Sequence, residues 1–295
     1  MTDRRAPWVR LRSTRLSAQI DPVGAQLSTL QDASGRDLLW NGDPAVWSGR
    51  APLLFPIVGA LAGGVFRLGK QIFALPRHGF ARVSPFEILA HDDSSADLCL
   101  LASESTRRDY PFEFELRVRF ALHEAKLEVR VRLSNLGDKP MPASFGFHPA
   151  FRWPLPYGHP RSDHFIEFSD DEAGYVRRLD GNGLLTPERH AVSIIDRKLS
   201  LVDSLFEHDA LIFENVRSRY VRYGAAGGPR IEVNLRRAPF LGLWSKPGAG
   251  FICVEPWHGV ADPQGYAGDF SEKPGMLMLE PGQPRDLGME IALRD

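Results

Sequence analysis

The amino-acid sequence predicts an all-β fold built from antiparallel sheets with large loops, on three observations. Phe112, Phe114, Leu116, Val118, Phe120 and Leu122 alternate strictly with Glu113, Glu115, Arg117 and Arg119, the period of a half-buried strand. Short runs of similar grammar recur along the chain, separated by turn signals. No segment carries the roughly ten residues of 3.6-periodic pattern that a helix needs.

Taken in order, the alternation resumes after His123-Glu-Ala with Leu127, Val129, Val131 and Leu133 against Glu128, Arg130 and Arg132, and stops at Asn135-Leu-Gly137. The two runs read as an antiparallel hairpin with one face in the core and one lined with opposite charges. Further strands are expected at Phe165–Phe168, Tyr175–Leu179, Ala210–Phe213, Tyr220–Tyr223, Ile231–Leu235, Phe240–Trp244, Phe251–Val254, Met276–Leu279 and Leu287–Leu293. Asp180-Gly-Asn-Gly183, Ala226-Gly-Gly-Pro229, Lys246-Pro-Gly248 and Glu280-Pro-Gly282 are the turns between them. Val202–Glu207 suits a short helix or turn, and the Pro- and Gly-rich segment from Pro154 to Ser162 is expected to cross the surface near His148. No repeat, low-complexity tract or composition shift marks a linker, so residues 1–295 read as a single domain.

A chain of 295 residues that is 43% hydrophobic and 25% charged can bury a sizeable core, which excludes a disordered or fibrous class. The formal net charge of −1 supplies no field to attract nucleic acid or an anionic membrane. Cys99 and Cys253 both lie in apolar runs, the pattern of reduced, packed thiols. With no apolar region after the charged start, and no run approaching about 18 apolar residues, a cytoplasmic protein is expected.

Five stretches hold polar residues in settings that chemistry explains better than packing. Ser144-Phe-Gly-Phe-His148-Pro-Ala-Phe151 sets one imidazole in an apolar octapeptide. Histidine alone changes charge near neutral pH without perturbation, and Phe145, Phe147 and Phe151 are expected to wall it off from water. A packed core histidine is the alternative. Phe251-Ile-Cys-Val-Glu255-Pro-Trp-His-Gly259 places a carboxylate at the expected end of an apolar strand, where desolvation raises its pKa toward the range of a general base. Trp257 beside it offers a flat surface with one donor, suited to a sugar ring.

Arg50 stands before the apolar run Ala51–Val58 and must pair or face a cavity. His78 lies in Arg77-His-Gly-Phe-Ala-Arg82, where Gly79 is expected to let the backbone approach a ligand. Asp209 opens the strand Ala210–Phe213, as a turn residue or a ligand. Gly59-Ala-Leu-Ala-Gly-Gly64 lacks dinucleotide-loop spacing, and no Walker, nucleophile-elbow or His-Glu-x-x-His motif occurs. Cys253, Glu255 and His258 form at most a weak metal cluster, so no metal is expected.

Phe55-Pro-Ile-Val-Gly59, His78-Gly-Phe-Ala-Arg82, Ser144–Phe151, Asp209-Ala-Leu-Ile-Phe213 and Cys253–Gly259 together resemble the aldose 1-epimerase (galactose mutarotase-like) family, most of all its LacX-like branch. The resemblance implies a β-supersandwich that binds a small-molecule sugar without a cofactor and works as a monomer or homodimer. It implies that His148 is the general acid for the ring oxygen and Glu255 the general base for the C1 hydroxyl. It further implies that His78, Arg50 and Asp209 hold the sugar hydroxyls and help orient the acid, with Trp257 expected beside them as the flat surface for the ring. Acid and base are expected on opposite sides of the ring. The alternatives are a hexose-6-phosphate 1-epimerase, with Arg50, Arg77, Arg82 and Arg152 as candidate phosphate ligands, a non-catalytic carbohydrate-binding or regulatory protein, and a lyase or hydrolase on the same fold.

Overall fold

A computed structural model describes residues 7–295. Its main body is two antiparallel sheets facing one another. The larger has nine strands, in the order Lys198–Ser200, His164–Phe168, Tyr220–Ala225, Arg230–Asn234, Pro284–Arg294, Lys126–Asn135, Phe114–His123, Ser95–Leu101 and Glu87–His91. The expected hairpin is its centre, with Val129 opposite Phe120 and Val131 opposite Val118. Its inward residues are buried, whereas Arg117, Arg119, Arg130 and Arg132 on the other face are exposed and paired with Glu115, Asp97, Glu128 and Asp286 respectively.

The smaller sheet runs Leu211–Glu214, Phe240–Trp244, Phe251–His258, Phe145–Phe147 and Leu53–Leu54, with Ala150–Arg152 also paired to Phe251–His258. Strand parity decides what each of its faces does. Phe145, Phe147, Phe151, Leu211, Phe213, Leu241, Leu243, Ile252 and Val254 join the inter-sheet core with Val118, Val129, Val221, Val233 and Ile291. Residues of the other parity, Ile212 and Trp257 in one cluster and Ala150, Phe251 and Cys253 in another, form apolar patches on the outer face. Truncating Phe145 or Phe147 to alanine therefore opens a core cavity, at about 3–5 kcal/mol.

Every expected strand is present at least in part, though Tyr175–Leu179 shortens to a two-residue strand, Tyr175–Val176, followed by isolated bridges at Arg177 and Leu179. Val202–Glu207 contains a 3-10 turn, Asp203–Phe206. The single α-helix among the described residues, Glu104–Asp109, is six residues long and is closed by a Ser103–Thr106 capping box. It is too short to show a period. One expected boundary is wrong in a way that matters: Glu255 does not end its strand, which continues to His258. Pro256 is tolerated because it falls between two ladders. The Val254 N–H donates to Pro149, pairing with Phe145–Phe147 resumes at Trp257, and the missing N–H faces the interruption between them. Among the described residues no helix is long and apolar enough to cross a membrane, and both cysteines are free and buried.

Candidate active site

The interruption that accommodates Pro256 also delivers the histidine. The strands Phe145–Phe147 and Ala150–Arg152 pair with the same long strand, and His148-Pro149 bridges them. The period of two puts Gly146, His148 and Ala150 on the outer face, and on the facing strand it puts Cys253, Glu255 and Trp257 there. His148 and Glu255 thereby face each other in a cavity of about 260 Å³.

Their contact is close. His148 Nε2 lies 3.2 Å from Glu255 Oε2, at an angle that makes no hydrogen bond, and neither Oε2 nor His148 Nδ1 has a protein partner. Burial pushes the His148 imidazole down to about 3. Burial, and then the neighbouring Asp209 charge, push the Glu255 carboxyl well above the usual range. Acid and base candidates are thus neighbours and do not flank the cavity from opposite sides.

The aromatic frame around His148 is not the expected one. Phe145, Phe147 and Phe151 point into the inter-sheet core, away from the imidazole. Their place is taken by Trp47, stacked on the imidazole at 5.1 Å and 29°, and Trp244, edge-on at 5.7 Å. The indole N–H of Trp40 donates to the Trp47 carbonyl at 2.8 Å, and Lys246 Nζ donates to the carbonyl of Val46, so the loop carrying Trp47 is tied from both sides.

Trp257 lies across the floor of the cavity because Gly146 and Gly242 stand beneath it. A Cβ at either glycine would come within 2.6 Å of the indole. The Trp257 Nε1–H is buried without a partner.

His78 and Asp209 both line the cavity, each with left-handed backbone, at φ 68° and 62°. Such strain costs about 1–3 kcal/mol and concentrates where a side chain is held for a task. Gly59 N–H donates to His78 Nδ1 at 3.1 Å, which assigns the remaining ring hydrogen to Nε2, and the ring meets His148 edge-on at 5.8 Å. Burial, followed by the His148 and Arg77 charges, holds His78 well below its ordinary value and hence neutral. Gly79 is not among the lining residues; it brings the backbone against Phe55, since a Cβ there would sit 2.2 Å from the Phe55 carbonyl oxygen.

Arg50 is outside the cavity. Its Nε donates to the Asn41 carbonyl at 2.8 Å, its Nη1 to Ser28 at 3.4 Å, and its guanidinium lies over Trp8. Two backbone carbonyls and a ring face satisfy the fork, which the structure places away from the cavity lining. Basic residues do reach the cavity: Arg77, 3.6 Å from Asp209, with Arg82 and Lys246. His258 does not line it, nor does any residue from Pro154 to Ser162. That segment packs elsewhere, Tyr157 on Asp32 and Arg161 on Asp203.

Several comparisons fit this arrangement. The family model described as aldose 1-epimerase matches residues 7–286. Protein LacX of Lactococcus lactis subsp. lactis, in a plasmid form, is 31% identical over 92% of this chain and 95% of its own. A galactose mutarotase related enzyme from Lactobacillus acidophilus superposes with a TM-score of 0.91 at 30% identity, over 98% of each chain. A galactose mutarotase-like protein from Lactobacillus casei gives 0.91 at 26% identity, over 98% of this chain and all 100% of the other.

Proposed function

This chain belongs to the aldose 1-epimerase family, in its LacX-like branch, and from that premise we propose that it interconverts the α and β anomers of an aldohexose by opening and reclosing the ring. The observation that carries this reading is the 3.2 Å approach of His148 and Glu255 in a cavity of about 260 Å³. The two atoms that exchange protons in ring opening, the ring oxygen and the C1 hydroxyl oxygen, are bonded to the same carbon. An acid and a base that reach the same small region can serve both, and the pair meets that condition.

In this reading His148 gives a proton to the ring oxygen while Glu255 takes one from the C1 hydroxyl. The C1–O5 bond breaks, the aldehyde forms, and rotation about C1–C2 turns its other face to the new hydroxyl. Closure reverses the transfers. The pair holds one proton throughout, as imidazolium and carboxylate before opening and as imidazole and carboxylic acid after it. Burial favours the second, uncharged arrangement at rest. The closing half-reaction starts from that state, and the opening half needs the proton to move from carboxyl to imidazole first. His78 Nε2–H, Asp209 and Arg77 serve as partners for sugar hydroxyls, and Trp257 as the apolar floor.

Polarimetry or NMR exchange of purified anomers tests the proposal. His148→Ala and Glu255→Gln are each expected to lower kcat by about 10²–10⁴-fold. Full activity in either ends the assignment.

A second reading has one observation in its favour. With Glu255 uncharged, the cavity carries three cations, Arg77, Arg82 and Lys246, against the one further carboxylate of Asp209. An excess of cations favours an anionic sugar such as a hexose 6-phosphate, although Arg50 and Arg152 take no part. Comparing kcat/KM for glucose and glucose 6-phosphate decides between them. The two free, buried thiols support a reducing, cytoplasmic compartment.

A further inference from the structure

A third ligand-type atom lies against the His148–Glu255 pair. Cys253 precedes Glu255 by two residues on the same strand, so both side chains leave the outer face, and His148 enters opposite them from the break at Pro149. One ligand atom from each of His148, Cys253 and Glu255 falls within 4.8 Å of the other two, and the His148–Glu255 edge is 3.2 Å. The three residues are 8%, 0% and 1% exposed, and Glu255 Oε2 is a buried acceptor with no partner.

We propose that this triangle is an inhibitory site for a thiophilic divalent cation, Zn²⁺ above all, which binds in competition with the sugar. Zinc bonds to nitrogen and oxygen are about 2.0–2.2 Å and to sulfur about 2.3 Å, which makes the edges of a tetrahedral site roughly 3.3–3.6 Å. The His148–Glu255 edge is already near that length, and the thiol closes the rest by a movement of about 1 Å, given the same bond lengths. A thiolate with an imidazole selects Zn²⁺ over Mg²⁺ or Ca²⁺, which require oxygen donors. Three protein ligands leave a fourth position toward the cavity for water or a sugar hydroxyl.

Binding sends two protons to solvent, one from the thiol and the one shared by the His148–Glu255 pair. Zn²⁺ with one thiolate and one carboxylate is then electrically neutral, the state that a buried pocket tolerates best. The bound ion takes the Nε2 and carboxylate lone pairs that proton transfer uses. The inhibitory part of the proposal rests on the catalytic reading of His148 and Glu255; the binding part does not.

The test uses the full chain, freed of metal with a chelator, and Co²⁺ as a spectroscopic probe. One equivalent of Co²⁺ is expected to give a thiolate charge-transfer band in the near ultraviolet and intense four-coordinate visible bands, both removed by Zn²⁺. Cys253→Ser and Cys253→Ala are expected to lose the charge-transfer band and keep the metal-free mutarotation rate. They should need at least tenfold more Zn²⁺ for half-inhibition, while Cys99→Ala behaves as the parent. The proposal is overturned by the absence of a saturable Co²⁺ band, by equal Zn²⁺ sensitivity in the Cys253 variants, or by activity that appears only when Zn²⁺ is added. A Co²⁺ band that depends on Cys253, in a chain with no mutarotation at all, would retain the site and remove the enzymatic reading instead.

Discussion

Replacing His148 should make the protein less sensitive to acid, by an amount that the structure sets. In the folded chain burial lowers this imidazole to about 3, while in the unfolded chain it titrates near 6.5. A depressed pKa means that the unfolded state binds the extra proton first. The stability involved is fully present above pH 6.5 and is lost as pH falls toward 3. Between pH 8 and pH 5 the unfolded state gains about 1.5 pH units of protonation free energy and the folded state almost none. At 1.36 kcal/mol per unit that is about 2 kcal/mol. Glu255 titrates beside it, so the comparison belongs in a Glu255→Gln background, where only the histidine differs. Urea unfolding at pH 8 and pH 5 measures the loss for Glu255→Gln and for Glu255→Gln with His148→Gln. The second variant should lose about 2 kcal/mol less. Losses equal within about 0.5 kcal/mol would mean that His148 is solvated in the folded state, and the account of a dry, neutral imidazole would fall.

Three further outcomes follow from the same geometry. Because the His148–Glu255 pair keeps its single proton from about pH 3 up to the raised carboxyl value, kcat/KM for anomer exchange should show no acid limb near 6.5, where free imidazole titrates, in a pH-jump polarimetric assay. Gly242→Ala sets a methyl 2.6 Å from the Trp257 indole, so the ring must shift; about 1–3 kcal/mol of stability is lost in denaturant melts and KM rises more than kcat falls. Arg50→Ala, in contrast, should leave kcat/KM unchanged while lowering the melting temperature, because its guanidinium ties Asn41 and Ser28 and touches nothing in the cavity.

Period and punctuation made the fold legible. The hairpin of Phe114–His123 and Lys126–Asn135 could be placed from alternation alone, since one face meets the core and the other meets water. The N-terminal strands Val9–Arg12, Leu16–Asp21 and Gln26–Asp32 were harder to find. They form a separate three-stranded sheet; Leu16, Ala18 and Ile20 do alternate with Ser17, Gln19 and Asp21, but the runs are short, and in Gln26–Asp32 a register shift opposite Gln19 and Ile20 breaks the period. The long strand through Glu255 was cut short for a different reason. A proline ends a strand when neighbours pair on both sides at its position, and no local pattern reveals that the neighbouring strand is broken there at His148-Pro149.

The site was legible where a residue type is chemically exceptional and obscure where it depends on which way a side chain points. A histidine among phenylalanines and a glutamate in an apolar run were conspicuous, and both came to the same cavity. The phenylalanines themselves misled, because neighbours in a strand face opposite sides of the sheet. The alternation that buries Phe145, Phe147 and Phe151 is the same alternation that turns His148, of the opposite parity, outward. What encloses the imidazole had to come from segments distant in sequence, and it came as Trp47 and Trp244. Alternation carried a usable signal for this all along: Gly146, His148 and Ala150 share one parity, and two of those three side chains are too small to wall anything off. A face left open by its own strand must be closed by another element or by a ligand, and here the loop carrying Trp47 does the first and leaves room for the second.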